Sequence, residues 1–117
     1  MLAPNNTPSL VPAFDVTVHV VLDDFAKAGR VYRETDEEDA GLEAVIGNLS
    51  TGQYNNPVLV VAFNTAEGWS RDVSEDVAWE VLNRVAKEGK SLPAATRSFV
   101  EFYVGEDEAL RAEAGVI

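Results

Sequence analysis

Ser70 is the residue that first invites a chemical reading. It lies in Gly68-Trp69-Ser70-Arg71-Asp72, after the apolar run 58–63 (VLVVAF) and just before an amphipathic stretch that begins near Ser74. Strand, turn, serine, helix is the order of the nucleophile elbow of serine hydrolases. That elbow has a glycine on each side of its serine, and here the second position is Asp72. The single histidine, His19, precedes the serine, whereas that fold places it after. A triad needs nucleophile and base in contact, so order and geometry both argue against a Ser70–His19 hydrolase.

His19 has other uses open to it, because imidazole is the usual general base near neutral pH. It falls on the more polar side of an alternating stretch, near Asp15, Thr17 and, across a hairpin, Tyr32. A surface or helix-covered histidine with one hydrogen bond is the simpler reading. Metal binding has little to build on, since one histidine and no cysteine leave only carboxylates. The acidic run 36–39 resembles the start of a calcium loop, but the twelfth position, which needs glutamate, is Gly47. No phosphate-binding glycine loop of either common type occurs. No cofactor and no metal are therefore expected.

The remaining candidate is the segment 64–72 as a whole. Asn64, Thr65, Trp69, Ser70, Arg71 and Asp72 are a rich set for one loop. Each has a structural use: Asn64 can bond local backbone, Gly68 can take positive φ, and Asp72 can accept the first amides of a helix. Each also has a recognition use, because tryptophan and arginine dominate binding hot spots and loops beside rigid strands carry function. A pocket between this loop and the preceding hairpin, with His19 and Tyr32 contributing, is a second possibility.

These residues must be held by one small domain, because 117 residues suffice for one core and not for two. Apolar residues make up 46% and charged residues 25%, an ordinary globular balance. With no cysteine there is no disulfide framework, which fits a reducing compartment. The net charge of −11 repels a phosphate backbone, so direct nucleic-acid binding is not expected. Such charge favours solubility, and it also suits a partner with a basic surface. No run is long enough to cross a bilayer, and the N-terminal residues lack the pattern of a secretory signal. Residues 1–13, with three prolines and two asparagines, read as a disordered lead-in.

Alternation over 14–23 (FDVTVHVVLD) predicts a half-buried strand, with Phe14, Val16, Val18, Val20 and Leu22 on its apolar side. Residues 30–35 predict a second strand, paired to the first in an antiparallel hairpin. Thr35 and Glu38 match a capping box, and Leu42, Val45, Ile46 and Leu49 follow at helical spacing. The unbroken apolar run 58–63 predicts a central strand. A second helix follows Ser74 as cap and ends at Gly89; a third, capped by Ser91, carries Phe99, Phe102 and Tyr103 and ends at Gly105. The expected fold is α+β, a two-layer sandwich of order ββαβαα. Its three-stranded antiparallel sheet has order 2-1-3, with the helices on one face. The domain spans 14–105, and 106–117 reads as a loosely attached acidic tail.

The blocks YRETDEEDA, GQYNNPV and AFNTAEGWSRDVSEDVA resemble small single-domain bacterial proteins of unknown function, chiefly α-proteobacterial. The resemblance runs over the stretch 32–77, about two-fifths of the chain. It implies a bacterial, cytoplasmic protein and supplies no catalytic residue. The leading expectation is a non-enzymatic protein-interaction or regulatory module using 64–72, its partner another protein, with a homo-oligomer also open. The alternatives are a small-molecule-binding protein or enzyme with a pocket beside that loop, and an acidic mimic that occupies a nucleic-acid-binding protein.

Overall fold

Alternating β-branched residues make 17–24 a strand, and the structure, a computed structural model, describes residues 17–34 and 41–115. The elements are β1 (Thr17–Asp24), β2 (Arg30–Glu34), α1 (Leu42–Ser50), β3 (Pro57–Asn64), β4 (Trp69–Asp72), α2 (Ser74–Glu88), α3 (Ala94–Val104) and α4 (Glu106–Glu113). The fold is α+β with an antiparallel sheet, as expected, and β3 pairs antiparallel to β1. The sheet has four strands in the order β2-β1-β3-β4, not three. The extra strand is β4, which pairs with β3 from Val61↔Asp72 to Asn64↔Trp69. The segment 64–72 is thus a β-hairpin and not a strand-to-helix loop. Its turn closes where Asn64 C=O accepts Gly68 N–H at 2.9 Å, with Gly68 at φ 74°. The expected lead-in 1–13 and the capping box at Thr35–Glu38 lie outside the described residues.

Side-chain direction divides the sheet into two unlike faces. Residues opposite one another across a ladder share a face. Thr17, His19 and Val21 of β1 therefore line up with Asn64, Ala62 and Val60 of β3 on the helix side, and the fully buried Asp23 follows past a register shift. Val21 and Val60 are fully buried there against α1, α2 and α3. Val18, Val20 and Leu22 point the other way with Leu59, Val61 and Phe63. Tyr32, opposite Leu22, joins them. The alternation in β1 was sound, but the helices cover its more polar side. His19 and Asp23 are buried on the packed side together with Val21, and Val18 and Val20 point outward.

Asp23 is the strongest polar anchor of the core, with no exposed surface. Its Oδ1 accepts Asn56 N–H at 2.6 Å and its Oδ2 accepts Asn55 N–H at 2.9 Å. Arg33 Nη1 donates to Oδ2 at 3.1 Å, pairing the charge. The carboxylate thus fixes the turn that enters β3.

The helices form as their patterns dictate, with corrected ends. In α2, Val77, Ala78, Val81, Leu82 and Val85 make one buried stripe, and Gly89 stops the helix at φ 66°. Ser74 is not its cap. Asp72 Oδ1 accepts Ser74 N–H at 2.9 Å, while the buried Ser74 Oγ accepts Val60 N–H at 2.8 Å. Ser74→Ala would leave that sheet amide without its partner, so we expect a loss of about 1–3 kcal/mol, measured by denaturant midpoint. A loss of no more than a few tenths would show that another acceptor reaches Val60. Ser91 does not cap α3 either; the residue before that helix is Pro93, with no side-chain capping bond. The expected aromatic face of α3 is split: Phe99 is buried, whereas Phe102 is 80% exposed.

Residues 106–113 are a packed helix, not a loosely attached tail. Ala109 and Ala112 are buried against the other helices, and small residues allow that close approach. Glu113 clamps the end. It accepts Leu92 N–H at 2.8 Å, and both of its carboxylate oxygens accept from Arg97 Nη2. The hydrogen bonds from Arg97 hold the Glu113 carboxyl below its ordinary value, against the opposing effect of burial. A depressed carboxylate stabilises the fold fully above its unfolded value and ceases to do so as pH falls through the folded one. Glu113→Gln should therefore be less stable than wild type at neutral pH. The gap should close below the ordinary glutamate value of about 4.3. Urea titrations of both chains across that range would read it, and a pH-independent gap would refute it.

Candidate functional site

The hairpin 64–72 is built to hold its own shape. Asn64 is buried, and its Oδ1 accepts Glu67 N–H at 2.9 Å while its amide reaches Thr17 Oγ1 at 3.4 Å. Trp69 Nε1 donates to Glu67 Oε1 at 2.7 Å, and the Arg71 guanidinium lies 4.9 Å from the Trp69 ring centroid. Arg71 over tryptophan is a cation–π contact, a modest attraction on an exposed edge. These bonds use the polar groups that a recognition loop would present. Thr65 is exposed in the turn and makes no side-chain bond that contributes to this frame.

The strand character of 69–72 also separates the expected site residues. Trp69 and Arg71, opposite Asn64 and Ala62, lie on the helix side of the sheet edge. Ser70 and Asp72, opposite Phe63 and Val61, lie on the outer side. His19 and Tyr32 are likewise on opposite faces, because His19 shares Ala62's side and Tyr32 shares Leu22's. The expected constellation of His19, Tyr32, Asn64, Arg71 and Asp72 is therefore not assembled. Ser70 is exposed on the outer face, with the histidine on the other.

A pocket does exist between the two hairpins, with different walls. A shallow cavity of about 390 Å³ on the outer face is lined by Val20, Tyr32, Val61 and Phe63. Val20 forms its floor at 6% exposure, and Tyr32 stands at its edge at 58%. Its lining offers one phenolic hydroxyl and otherwise only hydrocarbon. Among the described residues this lining is suited to apolar surface, with the Tyr32 hydroxyl as its polar group. The outer-face residues Val18, Leu22, Leu59, Val61 and Phe63 are only partly buried, and none belongs to the core formed with the helices.

Two further concavities are of another kind. One, about 270 Å³, lies between Asn56 and α3, with exposed Phe102 on its rim and the Asp24–Arg30 pair, 3.6 Å apart, at its end. The other, about 400 Å³, is a charged groove along α2 with Glu43, Arg84 and Lys87 in its wall. Arg84 pairs with Glu43 across it. Among the described residues no group of three or more His, Asp or Glu is placed to hold a metal ion. Among them, too, no helix is long and apolar enough to cross a membrane.

The outer face was the part that sequence reasoning missed. The signal was present: β1 alternates with a full apolar side while β3 is apolar throughout. A single helix layer covers one side of such a sheet and leaves the other. Comparison with known proteins adds no assignment: no family model, no curated protein and no solved structure matches the chain.

Proposed function

We propose that the chain is a non-enzymatic protein-interaction module, bacterial and cytoplasmic, whose docking surface is the outer face of its sheet. The hairpin 64–72 contributes the border of that surface through Ser70 and Asp72, and not the centre. One observation carries this reading: seven apolar side chains stand together on the face opposite the helices, around a cavity whose lining is suited to apolar surface. Contiguous apolar patches of this kind on small domains mark interaction sites. The acidic surface elsewhere biases partner choice and encounter rate.

The test is site-directed photo-crosslinking in the native host. A photo-reactive phenylalanine analogue at Tyr32 should give a discrete adduct; the same analogue at Asn83, exposed on α2, should give none. Equal labelling at both positions, or none at Tyr32, would remove the outer face as the docking surface. The same analogue at Trp69 distinguishes the hairpin: a stronger adduct there would return the site to the helix-side edge.

A further inference from the structure

We infer that the occupant of the outer sheet face is a second copy of this chain, packed sheet to sheet about a two-fold axis. The inference rests on the outer face being a docking surface, and it names what docks.

Shape supports it first. A twisted four-stranded sheet is matched best by a surface of the same twist, and two sheets pack aligned, at about −30° and roughly 10 Å apart. A second copy supplies that surface without further adaptation. The cavity lined by Val20, Tyr32, Val61 and Phe63 then has a use, since facing sheets fill such depressions with each other's side chains.

Charge supports it next. A two-fold interface brings each patch onto itself, so a charged centre would meet its own sign. The seven central side chains are uncharged, in a chain with net charge −11. The charged residues that share this face's register lie on the two edge strands, Asp72 on β4 opposite Val61 and Glu34 on β2 opposite Val20. A basic partner would be met by an acidic patch, and this face does not present one at its centre.

Area sets the strength. β1 and β3 have eight residues each, β2 five and β4 four. At ~3.3 Å per residue and ~4.8 Å between strands, the face projects roughly 400 Å², hence roughly 800 Å² for two copies. That lies below the about 1,200 Å² at which standard interfaces begin, in the range of weak contacts. A weak, reversible dimer is therefore expected.

The test is sedimentation equilibrium of the full chain from about 1 to about 100 µM, a range that reaches weak association. Wild type should shift from monomer to dimer across it. Val61→Asp and Tyr32→Asp should stay monomeric with unchanged circular dichroism. Tyr32 is already largely exposed, so its variant keeps the fold even if Val61→Asp does not. Raising salt from about 50 to about 500 mM should strengthen the dimer, because it screens repulsion between two acidic chains. A dimer that survives both substitutions, or that weakens with salt, would overturn the inference by placing the contact elsewhere.

A monomer throughout would also overturn it, and a soluble paramagnetic probe then separates the two readings. If the Tyr32 ring and the Val61 methyls are reached by the probe, the face is open and awaits a different partner; the docking surface stands and the second copy falls. If they are shielded, residues 1–16 or 35–40 of the same chain cover the face, and both readings fall.

Discussion

Asp23→Ala is expected to destabilise the fold by about 3 kcal/mol, because two backbone hydrogen bonds to a charged acceptor are lost, at about 1.5–3 kcal/mol each. The half-exposed Arg33 pair adds little. Three donors converge on this carboxylate from two elements: the amides of Asn55 and Asn56 and the Arg33 guanidinium. Alanine leaves two amides without their acceptor, whereas the Arg33 side chain, 43% exposed, has water within reach. Against a typical total stability of about 5–15 kcal/mol this is a large fraction. Asp23→Asn keeps an acceptor but turns an NH2 toward donors, so it should fall between wild type and alanine. Guanidinium titrations of the three chains would check the order. A loss below about 1 kcal/mol for alanine would mean that water replaces the carboxylate at no great cost.

Phe99→Ala is the second large effect, at about 3–5 kcal/mol. Phe99 is buried under α3 and its ring lies 5.0 Å from that of Tyr103. Tyr103 in turn donates its hydroxyl to Val58 C=O at 2.6 Å, tying the helix to the sheet. Removing Phe99 opens a cavity and frees Tyr103 on one side. Phe102 supplies the control. It sits three residues along the same helix, in edge contact with Tyr103, but is largely exposed. Phe102→Ala should change stability by no more than about 0.5 kcal/mol. Equal losses for the two would show that Phe102 is covered in solution, and that a surface other than the outer sheet face is occupied.

Particular residues show where the sequence was legible. Helix patterns were clear wherever a stripe ran unbroken, as at Val77, Val81, Leu82 and Val85. The continuous apolar run of β3 marks an inner strand, which it is in the four-stranded sheet, whereas the expected order 2-1-3 leaves it at an edge. The strand β4 was not legible, because Trp69-Ser70-Arg71-Asp72 is short, polar and bounded by turn residues. Its strand state comes from pairing with β3 and not from its own composition. The final helix was hidden for a related reason: Ala109 and Ala112 are too small to announce a buried stripe. Ser74 carried a capping signal but serves the sheet, since a hydroxyl at a helix start has two backbones within reach. The expected site was misplaced by parity. Period two sends neighbouring residues to opposite faces, so Trp69 and Ser70, or His19 and Val20, belong to different surfaces.

The sheet order also has a consequence in time. β1 lies inside the sheet, and its inner neighbour is β3, reached only much later along the chain. Asp23 and Asn56 are 33 residues apart, and Thr17 and Asn64 are 47 apart. Contacts of such long separation slow folding, because chain entropy is lost before they form. On a ribosome adding about 5–20 residues per second, the wait for β3 lasts roughly 2–10 s. Through that interval the nascent hairpin carries valines on both sides with neither helices nor β3 to shelter them. β1, the earliest of the described strands to be made, is thus among the last to be enclosed.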